Sequence, residues 1–306
     1  MVKIEDPEVL LAVLNSLQTG VYIVDDDRRI VFWNDSAQRI SGFLRQDVVG
    51  RLCRENILVH CDENHELLCG GACPLAETMR DGKPRSIEVY LRHKEGYRVP
   101  VRVRAAPVRD QEGRIIGAVE SFDHRARAAN PDHSRNRTAG GESLVEGGGL
   151  ADRQSLRERL AACLLNFSER LVPFSILRIQ VDQWEDWAAR HGQLAAKSML
   201  SVVGETLRNT LRPVDLIGRW NDGGFLAVIA YCTADVLESV GALLKKIVAC
   251  SGIEWWGDRL SVTVSVGGAS AESGDGVDSI LNRAEQSLEQ RRMKGGDDLL
   301  AAQEVE

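Results

Sequence analysis

Apolar residues recur every three or four positions over residues 5–18, where Val9, Leu10, Val13, Leu14 and Leu17 share one helical face. This pattern predicts an amphipathic opening helix and a dimerisation element. The period then falls to that of strands. Gly20–Asp25 forms a β-rich run, Asp25–Arg29 a turn, and Ile30–Asn34 a second strand, with a helix over 35–41 closed by Gly42. Residues 85–92, 97–107 and 114–122 alternate apolar and polar, separated by Lys94-Glu95-Gly96 and Asp110–Gly113, which predicts three antiparallel strands joined by hairpins. Residues 124–148 have no apolar period and carry Pro131, Gly140, Gly141 and the glycines 147–149, the composition of a linker. Beyond it, helices at 151–169, 184–210, 235–250 and 277–293 alternate with strands at 174–181, 215–219, 225–231 and 260–269, as in an α/β sandwich.

Length and charge narrow the picture. A chain of 306 residues with 43% hydrophobic content suits two domains with a core each. A net charge of −7 argues against a nucleic-acid binder. No apolar run approaches the ~20 residues of a membrane span. Acidic residues stand at the start, where a leader needs basic ones, so a cytoplasmic protein with no membrane attachment is expected.

The opening segment from Gly20 to Asn34, then Ile40-Ser41-Gly42-Phe43 and Val48-Val49-Gly50-Arg51, resembles the PAS sensor family over about residues 8–123. The resemblance implies an α+β fold, a five-stranded antiparallel sheet with helices on one face, that senses a small ligand, redox state or a partner.

The region 51–74 is rich in chemistry. Four of the seven cysteines, Cys53, Cys61, Cys69 and Cys73, lie there, with His60 and His65 close by. Cys61, Cys69 and Cys73, with Cys53, are candidate ligands for zinc or an iron–sulfur cluster, because loop thiolates can converge on one ion and Gly70-Gly71 lets the backbone bend. A thiol–disulfide switch and plain buried thiols are the other readings. Trp33 and Tyr90 suit either a flavin pocket or an ordinary core, and His60, His65 and His93 are weak haem ligands.

Residues 143–298 resemble the GGDEF domain of diguanylate cyclases. Gly149, Leu150 and Arg153 keep the family's opening motif, and Val262–Gly267 matches its closing strand. In this family the first acid of an Asp-x-Asp strand binds the catalytic metal, and here that position is Gln180. The guanine-holding pair falls on Ala188-Ala189, and the signature reads Asn221-Asp222-Gly223-Gly224-Phe225, with Gly224 in place of the acid. Asp222 is expected one position early, on the opposite side of a strand. Arg212-Pro213-Val214-Asp215 matches the family's Arg-x-x-Asp site for cyclic di-GMP and ends six positions before the signature.

These readings imply a PAS sensor at 1–123, a linker at 124–148, a GGDEF domain with a central sheet flanked by helices at 149–298, and a tail at 299–306. The expected protein is not an enzyme. It is a homodimeric receptor that binds cyclic di-GMP at Arg212 and Asp215 or engages an unidentified signalling partner. An active diguanylate cyclase using two GTP, and a dimerisation scaffold without nucleotide, are the alternatives.

Overall fold

The computed structural model describes residues 6–55, 57–64, 66–124 and 149–293. The chain divides into two compact units, Met1–Asn136 and Arg137–Glu306. Most of the expected linker, and the tail at 299–306, lie outside the described residues.

In the first unit, α1 (Pro7–Ser16) starts at Asp6, whose carboxylate accepts from the Glu8 N–H, and buries none of its residues. Leu10, Leu11 and Val13 stay exposed. Strands β1 (Gly20–Asp25) and β2 (Ile30–Trp33) pair antiparallel. Asn34 then caps α2 (Asp35–Ser41), which ends where Gly42 takes the left-handed conformation. A single turn, α3 (Arg45–Val48), and a 3₁₀ turn at Leu68–Gly70 follow. Next comes α4 (Pro74–Asp81), with proline in its first turn and Gly82 closing it. Strands β3 (Arg85–Arg92), β4 (Arg98–Arg109) and β5 (Ile115–His124) complete an antiparallel sheet of order β2-β1-β5-β4-β3.

That sheet is the five-stranded one expected, with α3, the 3₁₀ turn and α4 as additions. One face packs a core of Trp33, Val89, Leu91, Val101, Val103, Ala118 and Phe122. Trp33 is fully buried in this core and Tyr90 is buried too.

In the second unit, Asp152 caps α5 (Arg153–Arg170). Strand β6 (Phe174–Val181) leads into α6 (Trp184–Thr210), which breaks at Gly192, where φ is 83°. Strands β7 (Leu216–Asn221) and β8 (Gly224–Ala230) form a hairpin, followed by α7 (Ala234–Ala249). Two three-residue strands, β9 (Ile253–Trp255) and β10 (Asp258–Leu260), make a separate hairpin. The strand expected from 260 therefore begins later, as β11 (Val264–Ser270), before α8 (Val277–Met293). The antiparallel order is β11-β6-β8-β7, so β6 lies between the signature hairpin and β11. Gly218 lets the chain before α5 close on the sheet edge. A Cβ there would stand 2.0 Å from the Ala151 carbonyl oxygen.

Candidate functional site

The signature hairpin turns at Asp222-Gly223, and Gly223 has φ 69°. Asp222 thus sits in the turn rather than on a strand face, which corrects the expected placement. Gln180 of β6 lies opposite Gly224 on one side and Ser265 of β11 on the other. Its amide donates to the Asp222 carbonyl at 3.1 Å. The indole N–H of Trp184 donates to Asp222 Oδ1 at 3.2 Å. A Cβ on Gly224 would meet the Asn221 Oδ1 at 1.8 Å, so the Asn221 amide fills the space a side chain there would need.

Asp182, just beyond β6, is the second carboxylate beside the hairpin. It accepts from the Thr263 and Ser265 hydroxyls at 2.6 Å each. The first turn of α6 stacks Trp184 on Trp187 with centroids 5.7 Å apart, and Trp187 contacts His191 at 4.6 Å. Arg153 lies 4.6 Å over the Trp220 ring on the neighbouring strand. The positions matching the family's metal ligands therefore carry an amide, Gln180, and a glycine, Gly224. Neither offers an anionic oxygen to a hard cation, so the residues present do not fit that metal.

Arg212 and Asp215 do meet, where α6 gives way to β7. The guanidinium grips the carboxylate through Nε at 3.0 Å and Nη2 at 2.9 Å. The backbone N–H groups of Arg212 and Ala230 also donate to it, at 3.0 and 3.1 Å. Four donors occupy the usual acceptor positions of a carboxylate. The Asp215 side chain is 2% exposed and that of Arg212 35%. Arg212 also donates to the Ala230 carbonyl, so the pair ties the end of β8 to this turn. Its guanidinium keeps an exposed face, while Asp215 is spent on holding it. Arg208 pairs with Glu205.

In the first unit the cysteines separate into two kinds. Cys61 is fully buried, and its backbone bridges to Leu67 and Tyr90 in extended pairing. Cys53 and Cys73 pack against the sheet core, with Cys73 immediately before α4 and Cys69 in the 3₁₀ turn. Among the described residues, no three His, Cys, Asp or Glu side chains stand close enough together to hold an ion as placed. His65 lies outside the described residues, and His93 stacks on Tyr97.

Sequence reasoning missed Glu120. It is paired directly across from Tyr22 and is 1% exposed, at the same strand parity as the core residues Ala118 and Phe122. The Tyr22 hydroxyl donates to its Oε1 at 2.9 Å. His60, 3% exposed, brings Nε2 to 3.7 Å from the same oxygen. Burial pushes the Glu120 carboxyl up to about 8 against the hydrogen bond from Tyr22. Burial, helped by the Arg98 guanidinium, brings His60 down to about 4. Both shifts favour the neutral forms, which weakens any ion pair between them. His60 Nε2 and Glu120 Oε2 have no hydrogen-bond partner.

Comparison with known proteins gives two family matches, a PAS domain at residues 18–123 and the GGDEF domain of diguanylate cyclases at 148–298. The diguanylate cyclase DgcP of Pseudomonas aeruginosa is 23% identical over 202 residues, covering 66% of this chain and 30% of that protein. Diguanylate cyclase A of Treponema denticola is 24% identical over 128 residues, covering 42% and 34%. The structure of the P. aeruginosa diguanylate cyclase SiaD with its activator SiaC is 23% identical with a TM-score of 0.47, over 48% of this chain and 56% of that one. The chain spans about a third of the length of the curated relatives it matches.

The expectation that the chain is not an enzyme is corrected by these matches, since a GGDEF domain is present and the relatives are named diguanylate cyclases. That expectation counted acids lost at two positions. It gave little weight to the two carboxylates, Asp182 and Asp222, that the fold brings beside the hairpin. Among the described residues no helix is long and apolar enough to cross a membrane.

Proposed function

This chain is a PAS domain followed by a GGDEF domain, and from that premise we propose that it is a diguanylate cyclase-type protein of cyclic di-GMP signalling, whose PAS domain sets the output of its GGDEF domain. The observation that carries the proposal is the succession of the two family matches on one chain.

The family's reaction joins two GTP. Each 3′-hydroxyl attacks the α-phosphorus of the other nucleotide, and pyrophosphate leaves. Gln180 and Gly224 do not fit the family's metal. The groups that this chain presents beside the hairpin are Asp182, fixed by two hydroxyls, and Asp222, fixed by Trp184. The exposed apolar residues of α1 support pairing of two copies.

Cyclic di-GMP contacts Arg212 in this reading. A guanidinium held bidentate by Asp215 still presents an exposed face to a phosphate or a guanine edge. The test is calorimetric titration of the full chain with cyclic di-GMP, beside a GTP turnover assay with Mg²⁺ or Mn²⁺. Saturable binding that weakens about tenfold or more in Arg212→Ala, and only partly recovers in Arg212→Lys, supports the site. Absence of binding by the parent rejects it. Cyclic di-GMP formed in the second arm assigns this chain the activity for which its relatives are named.

A further inference from the structure

Strand β8 ends at Ala230, and the next residue leaves the sheet. Tyr231 has φ 52°, in the left-handed region, where a strand cannot continue and a Cβ is crowded. Both of its neighbours are anchored. The Ala230 N–H donates to Asp215 Oδ1 at 3.1 Å, and the Ala230 carbonyl accepts from Arg212 Nη2. Cys232 is 1% exposed, and its carbonyl accepts from the Ser175 hydroxyl at 2.9 Å. Tyr231 itself is 58% exposed. A large aromatic residue is thus displayed to solvent on a backbone fixed at each side, in a conformation that its surroundings hold. The Arg212 guanidinium lies against the carbonyl of the very peptide that joins Ala230 to Tyr231.

Arg212 and Asp215 differ in what they have left to offer a ligand. Asp215 Oδ1 accepts from Arg212 Nη2 and the Ala230 N–H, and Oδ2 accepts from Arg212 Nε and the Arg212 N–H. The N1–H and N2–H groups of a guanine are donors and find no acceptor there. The guanidinium spends Nε and Nη2 on these contacts, and its Nη1 has no hydrogen-bond partner among the described residues. The two N–H groups of Nη1 suit a phosphate oxygen. A phosphate can therefore be gripped at this turn, whereas a base has to be held by something other than the carboxylate.

We propose that Tyr231 is the base platform of this site: a purine of a cyclic dinucleotide stacks on the Tyr231 ring while Arg212 Nη1 holds its phosphate. This rests on the reading that Arg212 contacts cyclic di-GMP, and it widens what the site recognises. Every purine has a π-face, so stacking does not read the edge of the base. With Asp215 fully occupied, nothing in the pair separates guanine from adenine. The ligand class is cyclic purine dinucleotides, with cyclic di-AMP accepted about as well as cyclic di-GMP.

The experiment is calorimetric titration of the full chain with cyclic di-GMP and, separately, with cyclic di-AMP. The two dissociation constants should lie within about tenfold of each other. Tyr231→Gly keeps the left-handed backbone without strain and removes the ring, and it should weaken both ligands by about tenfold or more. Tyr231→Phe keeps the ring and should bind as the parent does. Far-ultraviolet circular dichroism checks the fold of each variant. Cyclic di-GMP binding that is unchanged in Tyr231→Gly overturns the platform, as does a preference for cyclic di-GMP over cyclic di-AMP beyond about tenfold. If Arg212→Ala weakens binding in either of those cases, the Arg212 reading stands without Tyr231. A parent that binds neither dinucleotide overturns both.

Discussion

Arg178 in the GGDEF domain and Glu120 in the PAS domain are each 1% exposed, yet their surroundings differ in kind. Arg178 Nε donates to Glu285 at 2.7 Å and Nη1 to the Phe225 carbonyl at 2.8 Å, and its guanidinium lies 5.8 Å from the centre of the Trp220 ring. Its charge is matched by an acid from α8, a carbonyl of β8 and an aromatic face from β7. Glu120 has one hydroxyl and an imidazole that stands too far for a hydrogen bond. A buried polar group whose partners are all supplied by the chain serves the fold, whereas one left half-satisfied costs it stability.

The largest effect expected from this contrast is at the compensated site. Glu285→Ala leaves the Arg178 guanidinium buried without its acid and should cost about 3 kcal/mol of the second unit's stability. Urea unfolding followed by tryptophan fluorescence reads this well, because Trp33 is the one tryptophan of the first unit. A loss under about 1 kcal/mol would mean that Arg178 is satisfied without Glu285.

The opposite sign is expected at Glu120. At pH 7, Glu120→Gln should stabilise the first unit by about 1–2 kcal/mol, since burial pushes this carboxyl up to about 8 and it must take up a proton on folding, whereas an amide need not. A destabilised variant would make Glu120 a structural residue and remove the contrast between the domains.

Arg212 and Asp215 lie between these cases. Arg212→Ala strands a carboxylate that is 2% exposed, and it should cost about 2 kcal/mol. Asp215→Ala leaves an arginine that water already reaches, and it should cost about 1 kcal/mol, chiefly through the Ala230 N–H it orphans. Equal losses in thermal unfolding would show that the pair is no more buried on one side than on the other.

Much of this fold was legible in the sequence because strand and helix periods are local. Most strands of both sheets and the closing Gly42 stand where the pattern put them, while β11 starts later than expected and Asn34, expected to end a strand, caps α2. Helix α4 carried its signals too, with Pro74 at its start and Gly82 closing it, but it is only eight residues long and the cysteines drew the reading. Glu120 was visible as a charged residue at core parity between Ala118 and Phe122. Its meaning depended on His60 and Tyr22, which come from distant segments. Asp182 presents the same difficulty, because its two hydroxyl partners lie 81 and 83 residues further along the chain. Local pattern locates such a side chain without indicating what it will touch.

The smallest effect expected is at a charge that contrasts with both buried ones. Asp152, before α5, accepts from the Ser155 N–H at 2.7 Å and sits at the positive end of the helix. The Ser155 backbone hydrogen bond holds its carboxyl below the ordinary value of 3.8. A lowered carboxyl contributes stability that is fully present above its unfolded value and is lost as pH falls through its folded one. Asp152→Ala should therefore lower the melting temperature of the second unit by about 2–4 °C at neutral pH. The difference from the parent should shrink as pH falls below 3.8. Asp152→Asn keeps the cap without the charge and should lie close to the parent at pH 7, with a flatter acid limb. A parent and an alanine variant that melt together at pH 7 would show that this helix end is satisfied by water alone.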